Sequence, residues 1–143
     1  MGPTVVEEGE FAGWMMWPQD PFEHAAGPFY FRKDEQGPVC AFRAEERHMN
    51  GLGSLHGGCF MSFADFALFG IATDELHGSE EGGAAVTVAF NAEFLAGAKP
   101  GDWIEARGEV LKAGRSILFV RGIITANGTP CLNFSGTLKR VRR

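Results

Sequence analysis

The sequence predicts an α+β domain in which a curved antiparallel sheet of about five to six strands wraps one long central helix. Two observations predict it. Between Cys59 and Ala72 only Ser62 and Asp65 are clearly polar, and a helix that is apolar nearly all round is a buried one. After it, the last sixty or so residues read as period-2 runs separated by short turns, which is antiparallel order. A buried helix followed by such a meander leaves the sheet to close around the helix. At 143 residues the chain is one domain that can bury roughly two-thirds of its unfolded surface without a disulfide or a metal.

Each element follows in chain order. Met1–Pro28 carries Trp14, Met15, Met16, Trp17 and Phe22 among prolines and acidic residues. It reads as an arm holding a short helix or turn that lays aromatics over the main body, residues 29–143. Phe29–Arg32 and Val39–Ala44 are strand candidates joined by the turn Asp34-Glu35-Gln36-Gly37-Pro38, a hairpin pattern. The loop His48–Leu55 leads into a helix from about His56 to Leu76, and Gly78–Gly83 reads as an exposed loop. In Val86–Leu95 the residues Val86, Val88, Phe90, Ala92 and Phe94 alternate with Thr87, Ala89, Asn91 and Glu93. Trp103–Lys112 alternates again, and Ala113-Gly114-Arg115 turns the chain into the strand Ile117–Thr125. Asn127-Gly128 is a strong hairpin signal, and Cys131–Val141 closes the sheet.

Composition narrows the function. A formal charge of −5 argues against a nucleic-acid-binding domain. Lys139, Arg140, Arg142 and Arg143 make the C-terminus locally basic, which suits a solvated strand end or, less simply, a phosphate-bearing ligand. Cys40, Cys59 and Cys131 are odd in number and widely spaced. They fit neither a disulfide framework nor a zinc site, and read as reduced core residues of a cytoplasmic protein. Met1–Glu10 is acidic, unlike a secretory leader. The longest apolar run is interrupted by Asp65 and too short to span a membrane. Thirteen phenylalanines against one tyrosine point to large apolar faces, mostly core.

One stretch carries chemistry: His48-Met49-Asn50-Gly51-Leu52-Gly53-Ser54-Leu55-His56-Gly57-Gly58, followed after six mostly apolar residues by Asp65. The first turn of a helix presents unpaired N–H groups and about half a positive charge. Glycines at 57 and 58 leave those groups open to a carbonyl oxygen, as in an oxyanion hole. The plainer alternative is that they only allow close helix–sheet packing. Asp65 on an apolar helix suits a general base if it lines a cleft. The alternative is that it faces water from the one exposed stripe. Asn50 and His56 are placed to donate to a carbonyl or to orient the loop, and His48 suits a cap. Thr87 would hold a water near Asp65 if its strand lies beside the helix, although threonine also simply favours strands. The histidines match no zinc spacing. There is no nucleophile elbow and no phosphate loop or dinucleotide fingerprint.

The pattern His48-x-Asn50-x-x-Gly53-x-x-His56-Gly57-Gly58-x6-Asp65 resembles that of hotdog-fold acyl-CoA thioesterases of the phenylacetate-pathway type, and the likeness extends from about Phe29 to Val141. The resemblance implies an acyl-CoA substrate, hydrolysed to free acid and coenzyme A with no further cofactor. It implies a homodimer with sheets joined edge to edge, often paired again as a homotetramer. Residue by residue, it implies that Asp65 is the carboxylate that activates water, as base or nucleophile, and that the Gly57 N–H polarises the thioester carbonyl. Asn50 and His56 orient that carbonyl, and Thr87 positions the water or the carboxylate. It puts Gly58 at the substrate and places Asp65 of one subunit opposite the Gly57 loop of the other. Coenzyme A phosphates would meet Lys112 and Arg115 at the strand turn, with Arg140 nearby. The arm is longer than the core of this family needs, which leaves it either capping the acyl pocket or covering a sheet edge. Two other functions fit the same scaffold: an acyl-thioester hydratase or dehydratase, and an acyl-CoA-binding protein without turnover.

Overall fold

A computed structural model of the chain describes residues 2–78 and 83–141. Most of the loop expected at Gly78–Gly83 lies outside the described residues, as do Arg142 and Arg143. The strands are β1 (Thr4–Val5), β2 (Met15–Met16), β3 (Tyr30–Asp34), β4 (Gly37–Arg43), β5 (Ala85–Phe94), β6 (Trp103–Ala113), β7 (Ile117–Ala126) and β8 (Thr129–Arg140). The helices are α1 (Pro21–Ala26), α2 (Gly57–Ile71) and α3 (Thr73–His77). All eight strands form one antiparallel sheet in the order β1-β2-β3-β4-β6-β7-β8-β5. The expectation of five to six strands is therefore too low. The two extra strands are two-residue pieces of the arm that pair onto the β3 edge, Met15 opposite Phe31. They are too short to show as alternation in the sequence.

The meander is where the sequence put it, with strand ends moved by one or two residues. Asn127 and Gly128 take positive φ, 49° and 89°, and join Ala126 to Thr129 in a tight hairpin. The helix differs more. It breaks at Ala72, where the Thr73 hydroxyl donates to the Phe69 and Gly70 carbonyls at 3.0 and 2.9 Å. A hydroxyl bonded back to the preceding turn competes with the helical ladder, so a helix expected from His56 to Leu76 becomes α2 and the short α3.

Helix α2 touches each of the six longer strands, which requires the sheet to curve around it. Phe60, Phe63, Phe66, Ala67, Leu68 and Ile71 are buried against the sheet. Phe63 packs edge-on to Phe42 with ring centroids 4.8 Å apart, and Phe29 lies beside both Phe63 and Phe66. Fully burying each such ring contributes about 1.5–3 kcal/mol. Close approach is permitted at Gly136, where a Cβ would lie 2.4 Å from Leu68 Cδ1. The residues of α2 left partly or fully exposed include Gly58, Met61, Ser62 and Asp65, spaced as one helical stripe.

The arm divides in two. Its first half covers the outer face of β4: Phe11 stacks between Tyr30 and Trp103, with Trp14 edge-on, over Val39 and Ala41. Its second half, α1, crosses back to α2. The arm thus covers the β3 edge of the sheet, as one of the two alternatives had it, and also lies over the outer face of β4 and reaches α2.

Replacing Gly136 by Ala should destabilise the fold by about 1–3 kcal/mol through overpacking against Leu68. The measurement is the urea midpoint at unchanged slope; a wild-type midpoint would show that Leu68 repacks freely.

Candidate functional site

The start of α2 is held by its own loop. Met49 and Leu55 form an isolated bridge, and the His56 N–H donates to the His48 carbonyl at 2.9 Å. The Asn50 side-chain oxygen accepts from the N–H groups of Leu52 and Ser54 at 2.9 and 3.1 Å. Those two donors fix which way the amide faces, and its NH2 group has no acceptor among the described residues. His56 caps α2: its Nδ1 accepts from the Gly58 N–H at 2.8 Å. A neutral ring that accepts at Nδ1 carries its proton on Nε2, so His56 presents an outward donor. The Gly58 N–H is thereby used, whereas the Gly57 N–H has no acceptor among the described residues. Of the glycine pair, Gly57 supplies the open amide. Gly58 makes room for the imidazole, which a Cβ there would approach to 3.0 Å.

The acid lies further along the same helix. Asp65 is exposed in the single chain, at the edge of a cavity that it lines together with Met61 and Ser62. It is nevertheless held: the Thr87 hydroxyl donates to Asp65 Oδ1 at 2.7 Å. That contact depends on a β-bulge between Thr87 and Ala89 in the β5–β8 register. Before the bulge Ala85 and Thr87 face α2; after it Phe90 and Ala92 do. The alternation expected from the sequence, which put Val86 and Phe90 on one face, is broken by the extra residue. A bulge re-aims side chains in this way, and here it turns Thr87 onto Asp65.

Asp65 stands eight residues from Gly57 on one helix, about 12 Å along the axis at 1.5 Å per residue. One chain cannot bring both to a single carbonyl.

Helix α1 borders both regions. Asp20 caps it by accepting from the Glu23 N–H at 3.0 Å. Arg47 holds its far end, donating to the carbonyls of Ala25, at 3.0 Å, and Gly27. Two cavities flank it. One, of about 360 Å³, is lined by His56, Gly58, Cys59, Met49 and Phe22; the other, of about 530 Å³, by Asp65, Met61, Ser62, Glu23 and Phe22. Glu23 is half-buried, and its carboxyl is pushed up to about 8, first by burial and then by the charges of Asp20 and Asp65. The short helix or turn expected in the arm is α1, but Glu23 was not singled out, although Asp20-Pro21-x-Glu23 carries a cap, a first-turn proline and an acidic third residue.

The remaining candidates separate. Lys112 and Arg115 are exposed at the β6–β7 turn. Cross-strand register puts that turn at the same sheet end as Thr87. Arg140 is committed to the fold, donating to the Gly114 carbonyl at 3.2 Å and the Glu75 carbonyl at 3.3 Å. His48 is buried and caps a 3-10 turn by accepting from the Glu45 N–H at 3.0 Å. Burial and the Arg47 charge hold it below the ordinary histidine range. Burial pushes the Cys59 thiol up to about 11, which removes its thiolate at neutral pH. Among the described residues no three His, Cys, Asp or Glu side chains converge as metal ligands, and no helix is long and apolar enough to cross a membrane.

The sequence pattern of the Thioesterase superfamily matches residues 52–131. Human acyl-coenzyme A thioesterase 13 is 32% identical over 109 residues, 76% of this chain and 75% of the relative. Among solved structures, the Escherichia coli PaaI protein from the phenylacetic acid degradation operon superposes with a TM-score of 0.71 at 25% identity. It covers 86% of each chain. Zebrafish thioesterase superfamily member 2 superposes at 0.70 with 28% identity, covering 86% of this chain and 89% of the other.

Glu23 binds its proton more tightly folded than unfolded. Below about 4.5 both states are protonated; from there to about 8 the unfolded state ionises first, so stability falls as pH rises through that window. Glu23→Gln should therefore match wild type near pH 4 and gain Tm over it progressively toward pH 8. Parallel Tm curves across that range would refute the assignment.

Proposed function

The chain belongs to the thioesterase superfamily, and we propose that it hydrolyses acyl-CoA thioesters to the free acid and coenzyme A. The observation that carries this reading is a pair of groups on α2: a carboxylate held by Thr87, and an open Gly57 amide that the same chain cannot bring to it. A homodimer with two-fold symmetry answers the separation, because an isologous interface sets each subunit's Asp65 opposite the other's Gly57. The unpaired β5 edge of the sheet, with Val86, Val88 and Phe94 exposed, supports joining edge to edge. Further pairing to a homotetramer is consistent with exposed Leu111 and Phe119.

In this reading the thioester oxygen docks on the Gly57 N–H at the positive end of α2. The Asn50 NH2 and His56 Nε2–H orient it. Asp65 takes a proton from water, and the hydroxide attacks the carbonyl carbon. The C–S bond breaks as the tetrahedral intermediate collapses, and the thiolate leaves as coenzyme A. Thr87 holds Asp65 so that its second oxygen faces the water. Lys112 and Arg115, on the turn that Arg140 braces, meet the phosphates of coenzyme A, and Gly58 lines the substrate. Residues 29–143 are the thioesterase domain, with 1–28 an arm upon it. Three free cysteines support a cytoplasmic setting.

Asp65→Asn keeps the shape and removes the base, so thiol release from acyl-CoAs should fall at least about 10²-fold. Near wild-type turnover would end the mechanism. Gly57→Pro tests the donor alone. Gly57 is the first residue of α2, where proline is tolerated, and His56 at φ −62° and ψ 135° already has the backbone that precedes a proline. It should fold normally and lose about 10²–10³ in kcat. Mixing the two inactive variants should restore activity, since each heterodimer regains one intact site. If the mixture stays inactive although heterodimers form, the site is not shared.

A further inference from the structure

We propose that Phe22 is the residue of the arm that sets acyl-chain length, acting as the wall between the acyl pocket and the neighbouring acid site. The inference rests on the thioesterase reading and deepens it. Phe22 is 63% exposed, so its ring is not committed to the core. It is not adrift. Helix α1 is capped by Asp20 at one end and held by Arg47 at the other, so the ring stands on a fixed base.

Its place between the two cavities decides its part. Phe22, Gly58 and Ser62 line both of them, and of these three only Phe22 is large. The smaller cavity adjoins the α2 start; Ala25, Ala26, Met49 and Cys59 form its apolar wall, and Arg47 and His48 also line it. That apolar lining beside His56 is where an acyl group would extend once its carbonyl rests on the Gly57 N–H. At about 360 Å³ it sits at the low end of ligand pockets, enough for a short or medium acyl group. The larger cavity contains Asp65, Glu23 and Asp20 and offers an acyl chain poor company. In a shared-site dimer the two cavities serve different active sites, one completed by the partner's acid and the other by the partner's amide. Phe22 closes the first against the second, and removing its ring joins them.

The test is thiol release by the full-length chain from butyryl-, octanoyl- and lauroyl-CoA, with kcat/KM for each. Phe22→Ala should raise the lauroyl-to-butyryl ratio by about tenfold or more, the scale on which pocket methylenes discriminate. Phe22→Trp should lower the octanoyl-to-butyryl ratio. The exposed position keeps both variants folded, which circular dichroism checks. A lauroyl-to-butyryl ratio that stays within about twofold of wild type in Phe22→Ala, or that moves the other way, overturns the assignment. Wild type and Asp65→Asn run beside them. If wild type releases no thiol from any substrate, the thioesterase reading itself fails. If wild type is active, Asp65→Asn is not, and the ratios are unmoved, only the role of Phe22 is lost.

Discussion

The packing of α2 against the sheet governs the rest of the molecule. Aromatic and aliphatic side chains around most of its circumference are buried on β3 to β8, and the free energy of that burial is large compared with any single polar contact. Gly136 lets the sheet approach Leu68 closely. The helix is thereby fixed in rotation as well as position. Only one stripe escapes, and that stripe holds Gly58, Met61, Ser62 and Asp65. The polar residues of α2 are exposed together because the apolar ones are buried together.

That orientation also separates the two chemical groups. A helix N-terminus offers amides only within its first turn, while a side chain two turns on is carried about 12 Å away. A rigid, fully packed helix has no way to fold back on itself. The separation of the Gly57 amide from the Asp65 carboxylate is thus a consequence of helix geometry, and the proposed sharing of the site between two copies of α2 is the arrangement that answers it. The hydrogen bond from Thr87 to Asp65 needs no partner, because both residues belong to one α2–β5 contact.

The arm shows how a weakly patterned segment finds two uses. Phe11 and Trp14 fill the outer face of β4 against Trp103 and Tyr30, and this anchors the chain before it reaches α1. With one end anchored, the other tied by Arg47, and Trp17 and Ala26 packed on the core, α1 leaves Phe22 and Glu23 beside the α2 stripe.

The alternation of β6 to β8, the Asn127-Gly128 hairpin and the apolar stretch of α2 were legible in the sequence, because strand period, turn chemistry and helical burial are local properties of residue type. The loop from Asn50 to Gly57 was legible for the same reason: its glycines and polar side chains act on their own neighbours. What the sequence could not decide were matters of contact between distant segments. The phase of β5 changes at a bulge that exists only in register with β8, so nothing in Val86–Leu95 alone turns Thr87 toward Asp65. The β1 and β2 pieces become strands only because the β3 edge is there to pair with them. Arg140, a basic residue like its neighbours in sequence, is taken up by carbonyls of Gly114 and Glu75. The chain's residue types determined the elements and the polar groups that each carries. Tertiary packing alone determined which way those groups face, since a side chain's direction is set by the surface its neighbours must bury.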